Sequence, residues 1–216
     1  MPEAEQSLTG CCGGWEDGRR MNKLFLLSLL AILGWSAVAP HDYLTWAMEV
    51  APVAIALPVL LATYKRFKLT PLVYTLIWAH CVILIIGGHY TYAEMPLFNW
   101  IRDAFDLQRN YYDRLGHLAQ GFVPAMIARE ILIRKSVVNG RGWLFAIVVC
   151  FCLALSACYE FIEWWAALIL GSGADAFLAT QGDVWDTQWD MFCALIGAIV
   201  AQLWLGRYHD RQLENV

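Results

Sequence analysis

Residues 70–88 read TPLVYTLIWAHCVILIIGG, nineteen positions without a single Asp, Glu, Lys or Arg. As a helix such a run covers about 28 Å, close to the ~30 Å hydrocarbon thickness of a bilayer. Inside lipid each backbone N–H and C=O needs a partner within its own segment, which leaves the helix as the reading. The alternating pattern of an outer-membrane barrel strand is absent. One His, His80, interrupts the run near its middle.

Five further segments of this kind lie around it, at 24–39, 43–64, 113–133, 143–170 and 183–205. The expected fold is therefore all-α, a polytopic bundle of six transmembrane helices. A tail at 1–20 precedes the 21–206 membrane domain, and a short tail at 207–216 follows it. The composition agrees. Of 216 residues, 59% are hydrophobic and only 16% charged, with a mean hydropathy of +0.49. A soluble domain carries about 25% charge, so this chain cannot cover itself with polar groups. A net charge of −4 lacks the basic footprint of a nucleic-acid binder. Eleven Trp, nine Tyr and ten Phe suit a boundary between lipid and water.

Residues 21–34 resemble a signal peptide, with Ala37-Val38-Ala39 as a small-residue site, but Pro40 would hinder cleavage there. The segment is read as an uncleaved anchor. The tail before it matches nothing else in the chain, and Met21 is the more natural start, so 1–20 is expected to be disordered or dispensable. Seven cysteines make no disulfide frame or zinc ribbon; the five in apolar runs behave as small hydrophobes.

With six crossings, twelve of the fifteen basic residues fall on one side: Arg19, Arg20, Lys23, Lys65, Arg66, Lys68, Arg129, Arg134, Lys135, Arg141, Arg207 and Arg211. The positive-inside rule then places both termini in the cytoplasm. Arg102, Arg109 and Arg114 fall on the outer side, together with twelve of the nineteen acidic residues.

Those acids are patterned. Asp113, His117 and Gln120 stand at i, i+4 and i+7 in the fourth segment. Ser156, Glu160 and Glu163 repeat that step in the fifth. Asp183, Asp186 and Asp190 follow i, i+3 and i+7 at the start of the sixth, so each set forms a stripe. Ionisable groups within membrane helices face an interior or a cavity. Carboxylates at this density need a shared cation or a proton network. An Asp, Glu and His donor set suits Zn, Mn, Fe or Mg. The candidate metal ligands are Asp113, His117, Asp186, Asp190 and His89; Glu160 and Glu163 are candidate catalytic carboxylates, which could also ligate. Arg109 and Arg114 are candidates to bind a substrate phosphate. Other roles fit the same residues. Asp183 and Asp186 can serve a helix start, and Glu160 and Glu163 can pair with Arg102, Arg109 or Arg114. His80 reads as a hydrogen-bonded interior histidine. Between the third and fourth segments, Pro96 opens a stretch with Leu97, Ile101, Ala104 and Phe105 on one face, a short interfacial helix that could act as a lid.

At His89-Tyr90-Thr91-Tyr92-Ala93-Glu94-Met95-Pro96 and Tyr112-Asp113-Arg114-Leu115-Gly116-His117 the chain resembles the YjdF family of bacterial inner-membrane proteins. The likeness extends to Tyr159-Glu160-Phe161-Ile162-Glu163-Trp164-Trp165 and Gln181-Gly182-Asp183-Val184-Trp185-Asp186. It implies a multi-pass inner-membrane protein without an established activity. A partial similarity to VanZ-like membrane proteins rests on Asp113-Arg114-Leu115-Gly116-His117 and would imply an envelope-related role.

Three functions are compatible with these readings. One is a metal-dependent enzyme acting on a lipid or lipid-linked envelope substrate at the periplasmic face. The second is a cation- or proton-coupled carrier of a small solute. The third is a non-catalytic membrane protein whose acidic cluster is structural.

Overall fold

In the computed structural model, residues 6–171 and 175–214 are described, with side chains described from residue 20 onward except at 175 and 176. The order is α1 (Gln6–Ser36), α2 (Tyr43–Thr63), α3 (Pro71–Tyr90), a 3-10 turn at Tyr92–Glu94, α4 (Pro96–Ala104), α5 (Tyr112–Arg134), α6 (Arg141–Leu170), α7 (Asp175–Leu178) and α8 (Asp186–Leu213). No strand occurs among the described residues. Among the described residues, four helices are long and apolar enough to cross a membrane: α2, α3, α6 and α8. Residues 6–20 of the expected tail lie within α1, and residues 1–5 lie outside the described residues.

The helix starts follow from local chemistry. Asp42 caps α2, its carboxylate accepting the Thr45 N–H at 2.7 Å, and that bond holds the carboxyl below its ordinary range. Thr70 caps α3 ahead of Pro71, whose missing N–H is no loss in a first turn. Pro96 opens α4 in the same way. The third acidic stripe needs one correction. The chain turns through Gln181 and Gly182, both at positive φ, so α8 begins only at Asp186. Asp183 lies before the helix, where its carboxylate accepts the Trp185 N–H at 2.9 Å.

Small residues decide the packing. On α8 the buried face runs Asp186, Asp190, Ala194, Gly197, Ala198, Ala201, Gln202, Gly206 and His209. It lies parallel to α5 at contact distance. A Cβ at Gly121 would sit 1.9 Å from the Ala194 carbonyl oxygen, and one at Gly197 would sit 2.2 Å from that of Leu118. Close approach through small residues is how helices associate where lipid offers no hydrophobic drive. The apolar middle of the bundle joins Val53, Val73, Ile85, Met126, Val148, Cys152 and Ala198. Leu203, Trp204, Ile55 and Ile169 are exposed, as expected of surfaces that face lipid.

Helix α5 is the centre of the bundle, packed by α3, α6 and α8. Its charges are absorbed by those neighbours. At the end where α5 finishes, Glu130 is fully buried and accepts bonds from the Thr70 N–H and hydroxyl, Arg134 and His209. Arg129 donates to His209 Nδ1 at 2.8 Å and to Asp210 at 2.6 Å. A guanidinium can only donate, so His209 Nδ1 accepts and Nε2–H donates to Glu130 Oε2 at 3.0 Å. Gln212 accepts the Leu72 N–H at 3.0 Å and closes this end.

Candidate functional site

The opposite end, where α5 and α8 begin, is fixed by an exchange of amides. The Asn110 N–H donates to Gln181 Oε1 and Gln181 Nε2 donates to the Asn110 carbonyl, both at 2.9 Å. Asn110 also bonds Met95 and Asn99, which ties α4 to the same loop. The Tyr92 ring fills the space over Gly87 and Gly116; a Cβ at Gly87 would lie 2.0 Å from it. The first residues of α5 and α8 thereby come side by side.

Two layers of polar groups result. The first is an arginine and aspartate network. Asp186 Oδ1 accepts from Arg109 at 2.7 Å and from Arg114 at 2.6 Å. Arg114 also pairs with Asp190, Asp183 and Asp113, and Arg109 with Asp183 and Asp113. Both arginines are at least nine-tenths buried. Their terminal nitrogens are committed to carboxylates: Asp186 Oδ1 accepts from both, and Asp190 Oδ1 accepts from Arg114. Arg102 pairs with its neighbour Asp103 instead.

The second layer centres on His117, which is 4% exposed. Its Nδ1 lies 3.0 Å from Gln120 Oε1 and 3.9 Å from Glu160 Oε1; its Nε2 lies 3.5 Å from Asp113 Oδ1 and 3.7 Å from Asp190 Oδ1. The carboxylate separations exceed those of good hydrogen bonds. Two donors each about 2.1 Å from one cation lie at most about 4.2 Å apart, so the Nε2 side, with Asp113 and Asp190, could share one ion, and the Nδ1 side, with Glu160, is a separate grouping on the opposite edge of the ring. Asp113, His117 and Asp190 offer atoms within 4.8 Å of one another, and so do His117, Glu160 and Glu163. These are the two such groupings among the described residues. Glu160 Oε1 and the Ser156 hydroxyl, both buried, have no hydrogen-bond partner.

Glu49 of α2, 2% exposed, faces the same centre, within electrostatic reach of Asp113 and His117 and beside the hydroxyls of Tyr92 and Tyr159. Burial pushes the Tyr92 hydroxyl well above its ordinary range, and that hydroxyl and Glu49 Oε2 are both buried without a hydrogen-bond partner. Among the described residues, Glu49, Asp113, Glu160, Glu163, Asp183, Asp186 and Asp190 therefore surround Arg109, Arg114 and His117. Seven carboxyls face at most three positive charges.

The structure thus brings together Asp113, His117, Asp190, Glu160 and Glu163, and places Asp186, Arg109 and Arg114 in the adjoining network. His89 lies elsewhere. Its Nδ1 is 3.0 Å from the Ser36 carbonyl and its ring packs 4.3 Å from that of Trp35. The interior histidine His80 does not show the expected bond: its buried Nε2 is without a partner. Glu49, Tyr92 and Tyr159 stood outside the candidate set. The one signal for Glu49 was a lone carboxylate inside an otherwise apolar helix. Trp164, Trp165, Trp185 and Trp189 are exposed at this end, where an aromatic belt belongs.

The model of a predicted membrane protein family, DUF2238, matches residues 21–211. The inner membrane protein YjdF of Escherichia coli (strain K12) is 55% identical over 189 residues, which cover 88% of this chain and 90% of that protein. No solved structure matches.

Proposed function

The chain belongs to the DUF2238 family of membrane proteins, and on that premise we propose that it is an inner-membrane protein of six crossings whose His117 centre holds a divalent cation. The name of the relative supports the inner membrane. Helix α5 supports the count, because its 23 residues reach about 34 Å and its charges are paired within the bundle. Helix α1 supplies the remaining crossing. Both termini then lie in the cytoplasm, and the site opens toward the periplasmic face.

The observation that carries the cation is the excess of buried carboxyls over positive groups around a histidine. Zn, Mn, Fe and Mg suit its hard oxygen and imidazole donors. Asp113, Asp190 and Nε2 of His117 would hold the cation, and Glu160 and Glu163 lie on the Nδ1 side of the same ring. A cation there would polarise a substrate oxygen or a bound water, which suits an enzyme acting on a lipid or lipid-linked envelope substrate. Glu160, with one oxygen unpartnered beside His117, is the group to accept a proton. Arg109 and Arg114 would meet a phosphate only by releasing their aspartates; their main part is to hold α5 against α8. Glu49 favours a second reading, a proton- or cation-coupled carrier, since it adds a buried carboxyl from a further helix.

Proteoliposomes incubated with total bacterial lipid extract, with and without Mn²⁺, separate these readings by mass spectrometry. Metal-dependent loss of a lipid species, abolished by Glu160→Gln, supports the enzyme. Bound metal with an unchanged lipid profile contradicts it. Solute flux that is lost when Glu160→Gln and Asp190→Asn are combined would then favour the carrier.

A further inference from the structure

Helices α1 and α2 are consecutive, yet they touch little along their length; α1 leans on α3 instead. Trp78 of α3 donates to Ser28 of α1 at 2.8 Å and stacks on Phe25. At the periplasmic end of the pair, Trp46 donates to Ser36 at 3.1 Å. Between that tie and the opposite end the helices enclose a half-open cleft of about 250 Å³. Leu26, Leu29, Leu57, Leu60, Ile77 and Trp78 wall it. Leu26 and Leu29, and Leu57 and Leu60, stand three apart on their helices, so each contributes one stripe. The volume is below the roughly 300–1,000 Å³ of a drug-sized pocket.

One end differs from the walls. Lys23 and Asn22 of α1 and Tyr64 of α2 line it. Asn22 Nδ2 donates to the Tyr64 hydroxyl at 3.4 Å, while Asn22 Oδ1 is buried without a partner. Lys65 and Arg66 follow directly in the chain. An apolar slot two helical turns deep, with cationic and hydrogen-bonding groups at one end, matches one ligand chemistry in a bilayer. We infer that this cleft seats an acyl chain of an anionic phospholipid, with the phosphate against Lys23 and the headgroup hydroxyls within reach of Asn22. In the orientation proposed above this lipid belongs to the cytoplasmic leaflet, where anionic headgroups attract basic residues. The cleft lies at the end of the bundle away from His117, so the inference stands apart from the cation reading.

Native mass spectrometry of the full chain released from nanodiscs of equal phosphatidylglycerol and phosphatidylcholine tests it. One phosphatidylglycerol should persist at activation energies that strip other lipids. Leu60→Trp, which fills the slot, should abolish that retention. Lys23→Gln alters an exposed side chain and should lower the ratio of retained phosphatidylglycerol to phosphatidylcholine about fivefold. If Leu60→Trp does not fold, as its thermal unfolding would reveal, the Lys23→Gln ratio decides alone. Equal retention of both lipids by the native chain, retention unchanged in Lys23→Gln, or persistence of a detergent or other mass in place of phospholipid would overturn the inference.

Discussion

Gly121 of α5 and Ala194 of α8 meet backbone to backbone, so closely that a methyl group at Gly121 would stand 1.9 Å from the Ala194 carbonyl oxygen. Nothing at that contact can rotate away, because the obstruction is main chain. The contact sets the separation of two parallel helices, and so the distance between Asp113 or His117 on one and Asp190 on the other.

Substituting Gly121→Ala or Gly197→Ala should therefore pry the helices apart. Overpacking typically costs about 1–3 kcal/mol, and thermal unfolding in mild detergent would read it. Gly142→Ala is the control, since a Cβ there meets nothing within 4 Å. It should be neutral or slightly stabilising through helix propensity. Equal behaviour of all three would show that the close contact does not hold the bundle.

Arg114 presents a different kind of sensitivity. Its guanidinium bonds Asp183, Asp186 and Asp190 from within the bundle. Arg114→Ala should cost about 3–5 kcal/mol, because it strands buried carboxylates. Arg114→Lys should rescue little, as a single ammonium nitrogen cannot occupy both positions of Arg114 Nη1, which meets Asp190, and Nη2, which meets Asp183 and Asp186. Full rescue by lysine in an unfolding assay would contradict the geometry.

Glu130 tests whether the two polar ends are separate. Its carboxylate satisfies Thr70, Arg134 and His209 at once. Glu130→Ala should destabilise the fold by a similar few kcal/mol, and Glu130→Gln by less. In either variant that folds, metal binding at the other end should be unchanged; its loss would show the ends to be coupled.

Asp42 carries a pH signature. Its carboxyl is held low by the Thr45 N–H, so its contribution is present above the unfolded carboxylate range and lost as pH falls through the lower folded value. Asp42→Ala should cost about 1 kcal/mol at neutral pH. The gap to the native chain should close in acid. A gap that persists at pH 2 would assign the effect to something other than the cap.

Hydropathy made the bundle legible, since α2, α3, α6 and α8 are long apolar runs. The stripes on α5 and α6 were equally readable, because 3.6-residue periodicity puts Asp113 with His117 and Ser156 with Glu160 regardless of what packs around them. Spacing gives depth along a helix but not direction around the bundle. That is why His89, at the right depth, proved to face Trp35 and the Ser36 carbonyl. It is also why the choice of Asp183, Asp186 and Asp190 as partners for Arg109 and Arg114 was hidden: it depends on α5 and α8 lying parallel at glycine distance. The Glu130 and His209 network was hidden for the same reason, being 79 residues apart in sequence. The late start of α8 depended on two positive φ angles at Gln181 and Gly182, of which only the glycine advertised itself.

The central claim is that the carboxylates around His117 share a cation. Elemental analysis of the protein purified in mild detergent without chelator tests it directly, beside a folded His117→Ala variant and Glu130→Gln as control. Near-stoichiometric Zn, Mn, Fe or Mg in the native protein and in Glu130→Gln, lost in His117→Ala, is the predicted result. No metal in any of the three, with none taken up on adding each cation, would contradict the account and leave the centre as a proton-sharing network.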